Sequence, residues 1–134
     1  MEKEIRKNKP KKVIYENQEV VHNIIFTYVK SILNDINCEA YLVGSSTTGK
    51  FGRYEESYEG ESGSDIDLVI FLKEIPNGWE ELNVKRDWWS LYRAGELEIE
   101  HTIHFVNAMV VKTGMRDVAM QKFKELKWNV EKIK

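Results

Sequence analysis

Apolar residues recur at helical spacing between positions 17 and 37. A stripe of this kind is typical of a helix that packs one face against a core. Its members are Val21, Ile25, Tyr28, Ile32 and Ile36, with Ile24, Val29 and Leu33 beside them. Asn17 belongs to the residue types that cap helix starts. The pattern therefore predicts a helix over 17–37.

Two short apolar runs predict strands. The first is 39–43, and the second is 65–72, which is apolar on both faces after an acidic start, as in a central strand covered by helices. Between them, residues 44–63 hold five of the eight glycines and almost no aliphatic residue, which predicts a loop.

The second half of the chain gives three further elements. Residues 79–93 are rich in Trp and predict a helix, and residues 115–128 predict a final helix. Residues 97–106 alternate as a strand does, with Leu97, Ile99, His101, Ile103 and Phe105 on one face and Glu98, Glu100, Thr102 and His104 on the other. The order of elements predicts one α/β or α+β domain over 1–134, with a small mixed sheet flanked by helices.

The amino-acid composition indicates the class of protein and the compartment in which it is expected. The chain has 134 residues, of which 42% are hydrophobic and 31% charged. These proportions are those of an ordinary globular protein. No run approaches the roughly 18 apolar residues of a membrane span, and a single cysteine fits a reducing compartment, so we expect a cytoplasmic protein with no membrane contact. Residues 1–12 carry six basic and two acidic residues and predict a flexible, solvated basic arm. The alternative is an arm that binds nucleic acid phosphates.

The candidate chemistry begins with Asp65 and Asp67. Two residues apart in a strand, their side chains project from the same face, with backbones about 6–7 Å apart. Such close like charges repel unless a cation lies between them, and hard oxygen ligands of this kind suit Mg²⁺. On exposed strand ends the same pattern also occurs as plain solvated carboxylates.

Two neighbouring features favour a phosphate site over solvated carboxylates. Gly44-Ser45 ends the preceding predicted strand, where glycine lets backbone approach a phosphate and the serine hydroxyl can bond to it. Glu98 and Glu100 lie on the polar face of a later strand, and one of them can complete a set of three carboxylates. Three carboxylates can hold two metal ions for phosphoryl transfer.

With these residues in place, the chain resembles the nucleotidyltransferase superfamily of DNA polymerase β. Gly44-Ser45, a polar loop, Ser64-Asp65-Ile66-Asp67 and a later acidic strand carry the resemblance, which covers about residues 39–106. The segment 63–72 is similar to the same segment of 2′-5′-oligoadenylate synthases. The small size resembles the minimal nucleotidyltransferases of prokaryotes.

The resemblance implies roles for individual residues. Gly44, Ser45 and Ser64 would contact the nucleotide, with Lys50 as a further phosphate partner. Asp65 and Asp67 would bind two Mg²⁺ ions, or Mn²⁺ in their place. By the frame Ile99-Glu100-His101, Glu100 would be the third catalytic and metal-binding carboxylate, with Glu98 as the alternative.

Two features depart from the family pattern. A glutamate stands where the family usually has aspartate, and the loop 46–64 is longer than usual. That loop offers Lys50 and Arg53 to phosphates, but it also holds four glutamates, so we expect 54–61 to swing away as a mobile flap.

Other residues have both a functional and a structural interpretation. Trp79, Trp88 and Trp89 could stack on a base, although core packing is the commoner role of such residues. His104 is expected at a surface hydrogen bond, with contact to a phosphate or a metal as the alternative, and His101 is expected in the core.

The expected function is transfer of a nucleoside monophosphate from an NTP, with ATP as the expected donor, to an acceptor hydroxyl, with release of pyrophosphate. The acceptor could be a protein side chain, an RNA end or a small molecule, and a partner protein could hold it. The alternative is a nucleotide-binding or partner-binding module of the same fold with weak turnover, such as the antitoxin half of a toxin–antitoxin pair.

Overall fold

The computed structural model describes residues 10–58 and 60–134. The described chain is a mixed α+β structure in which strands predominate. Its first half contains β1 (Lys12–Ile14), α1 (Gln18–Ile32), β2 (Glu39–Val43), α2 (Ser45–Thr48), β3 (Gly52–Tyr58), β4 (Glu61–Gly63) and β5 (Ile66–Phe71). Its second half contains β6 (Glu80–Lys85), β7 (Trp89–Ile99), β8 (Thr102–Val111), α3 (Arg116–Glu125) and β9 (Glu131–Lys132).

Helix α1 confirms the apolar stripe and its cap. The side chain of Asn17 accepts a hydrogen bond from the Val20 N–H at 3.1 Å, and the stripe faces the core. The helix ends at Ile32 rather than at the predicted residue 37. The ammonium group of Lys134 donates to three carbonyl oxygens of the segment that follows the helix, those of Leu33, Asn34 and Ile36.

The larger sheet has the strand order β6-β7-β8-β5-β2-β9. Strand β5 pairs antiparallel with β2 and parallel with β8, so the sheet is mixed, as predicted. The predicted strands at 39–43 and 65–72 are both confirmed. Because side chains alternate along β5, Ile66, Leu68 and Ile70 join the core under α1, while Asp67 and Val69 lie on the opposite face.

The prediction of a loop over 44–63 is wrong. This segment contains α2, β3 and β4, and β3 is the central strand of a small sheet with the order β1-β3-β4. Residues 54–61 therefore do not form a detached flap in the part of the segment that is described. Lys12 pairs with Tyr54 at the start of β1, so the predicted flexible arm does not reach residue 12. Residues 1–9 lie outside the described residues.

The predicted Trp-rich helix over 79–93 is also wrong. Strands β6 and β7 form an antiparallel pair there, with Glu80 opposite Arg93 and Lys85 opposite Ser90. The pairing is irregular between Glu81 and Lys85, and Asn83 has a positive φ of 59°.

The predicted strand over 97–106 is a hairpin. Ile99 pairs with Thr102, and Glu100 and His101 form the two-residue turn with φ angles of 48° and 70°. A turn with positive φ at both positions matches the twist of paired strands. The turn breaks the alternation, so His104 is buried and His101 exposed, the reverse of the predicted arrangement.

The final helix is confirmed over 116–125, and a bidentate ion pair from Arg116 to Glu39 ties its start to β2. Within the described residues, no helix is both long enough and apolar enough to cross a lipid bilayer.

Candidate functional site

The two aspartates at the head of β5 share one face of the sheet, as predicted. Ile66, between them, is fully buried in the core under α1. Asp65 and Asp67 therefore lie on the other face, where α3 covers only part of the sheet.

Asp67 is in an environment that disfavours its charge. Burial raises its pKa, and the negative charges of Asp65 and Glu61 raise it further, to about 7. Glu61 lies in β4, in the segment that was expected to swing away. Two sources of negative potential around a half-buried carboxylate make this position favourable for a cation.

Gly44 approaches Asp67 from the end of β2. Its φ is +83°, and a Cβ atom built on it would lie 2.8 Å from Asp67 Oδ2. Glycine is therefore required twice here, for the backbone conformation and for the close approach. The Asp67 carboxylate therefore lies close to the backbone that precedes α2.

Asn107 completes the polar cluster and was not anticipated from the sequence. It is the register partner of Asp67 on the parallel strand β8, and it is 8% exposed. Its Nδ2 donates to Asp65 Oδ2 at 3.0 Å, while its Oδ1 is buried without a hydrogen-bond partner among the described residues. An unsatisfied buried acceptor is costly unless a ligand fills the site.

The structure does not bring Glu100 or Glu98, the predicted third carboxylates, to the two aspartates. Glu100 lies in the hairpin turn that precedes β8. The seven residues from there to Asn107 extend about 20 Å along a strand. Glu98 pairs with Ile103 on a strand further from the aspartates, and its carboxylate faces His101 at 3.7 Å. Within 10–58 and 60–134, no three His, Cys, Asp or Glu side chains are grouped so as to hold a metal ion.

The predicted nucleotide contacts are only partly brought together. Gly44 lines the cavity described below, whereas Ser45, Lys50 and Ser64 do not. Ser64 is buried, and its hydroxyl oxygen accepts hydrogen bonds from the Gly52 N–H at 3.1 Å and from Lys12 Nζ at 3.2 Å. Lys50 is exposed, and its carbonyl oxygen accepts a hydrogen bond from Lys12 Nζ at 3.1 Å.

A cavity of about 890 Å³ opens beside the aspartates. The sheet forms its floor, and α2, α3 and residues 128–129 form its walls. Hydrogen bonds in both directions between Thr47 and Asn129 join two of these walls. Asp65, Asp67, Asn107 and Gly44 form the polar end. A cavity of this size lies within the range of small-molecule sites.

Away from Asp65 and Asp67, the cavity is lined by aromatic residues and by the charged residues Arg86, Asp87 and Lys122. Trp88, Trp89 and Trp128 line it together with Met109 and Leu91. The ring centroids of Trp88 and Trp128 are 6.4 Å apart, and Trp128 stacks on Phe123 at 5.7 Å. Trp128 was not singled out in the sequence, because the predicted final helix extended to residue 128, whereas α3 ends at Glu125 and Trp128 follows it. Trp79 instead packs against the core under α1.

His104 forms a structural hydrogen-bond chain. Its Nδ1 donates to the Ser64 carbonyl oxygen at 2.8 Å, and its Nε2 lies 2.7 Å from the Tyr15 hydroxyl. Burial lowers the pKa of His104, so the ring is neutral and Nε2 accepts from Tyr15. The chain supports the backbone immediately before Asp65, and the predicted surface hydrogen bond is wrong.

Comparison of the chain with protein-family models, with curated proteins and with solved structures gave no match. The residues of the cavity are therefore the basis for a functional proposal. Two carboxylates and the amide oxygen of Asn107, which has no partner in the described structure, are hard donors that fit one Mg²⁺ ion. A second ion would need the third carboxylate, which these positions do not supply.

Proposed function

We propose that this chain binds a divalent cation and a nucleoside triphosphate in the cavity and transfers the nucleoside monophosphate to an acceptor hydroxyl. The single observation that supports this proposal is the position of Asp65 and Asp67. They lie together at the polar end of a cavity whose other walls carry three tryptophans.

The two ends of the cavity match the two ends of a nucleotide. Phosphates carry the negative charge that a cation on Asp65 and Asp67 would attract. Bases have a planar face that stacks on indole rings, such as those of Trp89 and Trp128. ATP remains the expected donor because the resemblance to nucleotidyltransferases implies it.

The residues of the chain have separate tasks in this proposal. Asp65 and Asp67 hold Mg²⁺ or Mn²⁺, which polarises a phosphoryl oxygen when bound. Asn107 orients Asp65 through the 3.0 Å hydrogen bond from Nδ2. Gly44 leaves space for the Asp67 carboxylate and keeps it at the cavity.

The reaction conserves every atom. The acceptor oxygen bonds to the α-phosphorus, the bond from that phosphorus to the α,β-bridging oxygen breaks, and pyrophosphate leaves. The proton of the acceptor hydroxyl passes to solvent or to the departing pyrophosphate. The acceptor class stays as inferred from the sequence: a protein side chain, an RNA end or a small molecule, with a partner protein able to present it.

A second candidate is the nucleotide-binding module with weak turnover, including an antitoxin-type subunit. Asn107 favours it, because an amide occupies the strand position beside Asp67, where a carboxylate could take the acceptor proton. An amide does not accept a proton at neutral pH.

Transfer from α-labelled ATP with Mg²⁺ or Mn²⁺ tests both candidates. The acceptors are protein, RNA and small-molecule pools, and the variants are Asp67→Ala and Asn107→Asp. Asp35→Ala is the matched control, since Asp35 is exposed and away from the cavity. Labelling that Asp67→Ala abolishes and Asp35→Ala retains supports the transferase.

The second candidate predicts a different result. Wild type would bind metal–ATP with little or no transfer, and Asn107→Asp would increase labelling. If wild type neither binds nor transfers the nucleotide, both candidates are wrong.

A further inference from the structure

Arg93 extends the polar row of the candidate site by one strand. It is the register partner of Asn107 on β7, as Asp67 is on β5. Register partners project from the same face of a sheet, and neighbouring strands are about 5 Å apart. The backbone of Arg93 is therefore about 10 Å from that of Asp67, within reach of an arginine side chain. Arg93 lies next to the cavity, whose lining includes Leu91 and Asn107 but not Arg93 itself.

The guanidinium group of Arg93 is held in place but makes no polar contact with the described residues. Its Cζ lies 3.8 Å from the centre of the Phe105 ring, a close cation–π contact. Its Nε is buried without a hydrogen-bond partner in the part of the chain that is described. No carboxylate of that part pairs with it. A partly buried cation of this kind normally has an anion beside it.

The backbone around Arg93 is fixed by α1. The pairing of β7 with β8 shifts register between Arg93 and Gly95. At Gly95, an added Cβ would lie 2.7 Å from the Tyr28 hydroxyl, which accepts a hydrogen bond from the Glu96 N–H at 3.2 Å. Such irregularities re-aim a side chain next to a site. Here the hydrogen bond to Tyr28 holds the irregularity in place, so the fold sets the direction in which the Arg93 side chain projects.

We propose that Arg93 binds the phosphate chain of the ligand whose cation is held by Asp65 and Asp67. The binding of a cation by Asp65 and Asp67 is part of the proposed function, and this inference rests on it. A guanidinium group presents a planar fork of donors that matches two oxygens of one phosphate. A polyphosphate can bind the cation through some of its oxygens and Arg93 through others, because both lie in one row of the sheet. In this row, the donor Nε of Arg93 and the acceptor Oδ1 of Asn107 are both buried without a hydrogen-bond partner in the described structure.

Binding of inorganic tripolyphosphate with Mg²⁺, measured by calorimetry, isolates this contact because the probe has no base. Arg93→Gln should weaken binding at least tenfold, and Arg93→Lys, which keeps the charge but not the fork, should lie between Arg93→Gln and wild type. Lys73→Gln is the charge-matched control, since Lys73 is an exposed cation that follows β5 at the end away from the aspartates, and it should bind as wild type does. Binding of adenosine without Mg²⁺ should be unchanged in all three variants. A thermal unfolding midpoint close to that of wild type shows that Arg93→Gln is folded.

The outcomes separate this inference from the proposed function. If Arg93→Gln binds Mg²⁺–tripolyphosphate within twofold of wild type, the inference is wrong and the cation site stands. If Asp67→Ala leaves binding unchanged while Arg93→Gln removes it, the phosphate site stands and the proposed cation site is wrong. If wild type binds no tripolyphosphate with or without Mg²⁺, both are wrong. If Arg93→Gln is unfolded, the Arg93→Lys variant is the test. Binding equal to that of wild type would mean that the guanidinium fork is not needed, and weaker binding would support a role for the fork.

Discussion

The side-chain nitrogen of Asn107 lies 3.0 Å from the carboxylate oxygen Oδ2 of Asp65. This neutral donor stabilises one carboxylate without adding charge beside Asp67, whose pKa is already raised. The identity of residue 107 therefore controls the charge of the whole cluster.

Replacing this amide with a carboxylate should lower the stability of the protein and raise its affinity for a divalent cation. Asn107→Asp places a third negative charge beside Asp65 and Asp67, so the protein without divalent ions should be less stable than wild type. Added Mg²⁺ should restore much of the loss, because a third oxygen anion strengthens the site. Thermal unfolding in chelator and in Mg²⁺ measures both effects, with Asn107→Ala as the control that lacks the charge. Equal stabilisation of all three proteins by Mg²⁺ would contradict this expectation.

The approach of Gly44 to Asp67 gives a second prediction. Gly44→Ala should be more destabilising than Gly49→Ala, although both glycines have positive φ angles, +83° and +75°. Gly49, with ψ 22°, is in the left-handed helical region, which costs an alanine about 1–2 kcal/mol, whereas Gly44, with ψ −157°, is in a region that is essentially restricted to glycine. Only at Gly44 does the new Cβ meet a carboxylate, at 2.8 Å. Overpacking of this kind adds about 1–3 kcal/mol.

Chemical denaturation of both variants in the Asp67 and Asp67→Ala backgrounds checks the cause. The difference between the two glycine sites should shrink when the carboxylate is removed. An undiminished difference in the Asp67→Ala background would mean that the carboxylate adds no strain and that the backbone conformation of Gly44 alone causes the difference.

Local periodicity identified the part of the site that lies on one strand. Residues two apart in a strand share a face whatever the strand pairs with, so the shared face of Asp65 and Asp67 follows from the sequence alone. The position of Asn107 does not, because its place beside Asp67 depends on the register between β5 and β8, two strands that are far apart along the chain. No local pattern encodes a register of that kind.

The wrong predictions have local causes. Glu100-His101 carries neither Gly nor Asn, the usual residues of a two-residue turn, so the sequence shows no break in the apolar alternation there. In 79–93, Leu82 and Val84 begin the alternation of apolar and polar residues that is typical of a strand. The adjacent apolar residues Trp88 and Trp89 interrupt this alternation. The strands β3 and β4 hold almost no aliphatic side chains, because their sheet lies at the surface.

The Tyr15–His104 hydrogen bond gives a third prediction. Tyr15→Phe leaves the buried Nε2 of His104 without its donor, 2.7 Å away in wild type. The loss of a buried partner should lower the free energy of unfolding by about 1–3 kcal/mol. Tyr92→Phe is the control, since the Tyr92 side chain is half-buried and shows no hydrogen bond in the described structure. Equal effects of the two substitutions in denaturant titrations would argue against a role for the hydrogen bond.

The raised pKa of Asp67 predicts how stability depends on pH without divalent ions. An aspartate has a pKa of about 4 in an unfolded chain, whereas that of Asp67 is about 7 in the folded protein. Between these values the folded state binds more protons than the unfolded state, so the contribution of Asp67 to stability falls as pH rises through this window and is constant above it. Because a cation and a proton compete for the same carboxylate, Mg²⁺ affinity should rise with pH up to about 7.

Denaturant titrations of wild type and Asp67→Asn in chelator, from pH 5 to pH 8, isolate this carboxylate because every other titrating group is common to both proteins. The stability of wild type relative to the variant should decrease across the window and level off above it. The Mg²⁺ affinity of wild type, measured over the same range, should increase by up to about tenfold per pH unit below the pKa, as expected for competition with one proton. A difference between the two proteins that stays constant with pH would mean that Asp67 is already ionised at pH 5. Its burial and the charges of Asp65 and Glu61 would then not be what prepares this position for a cation.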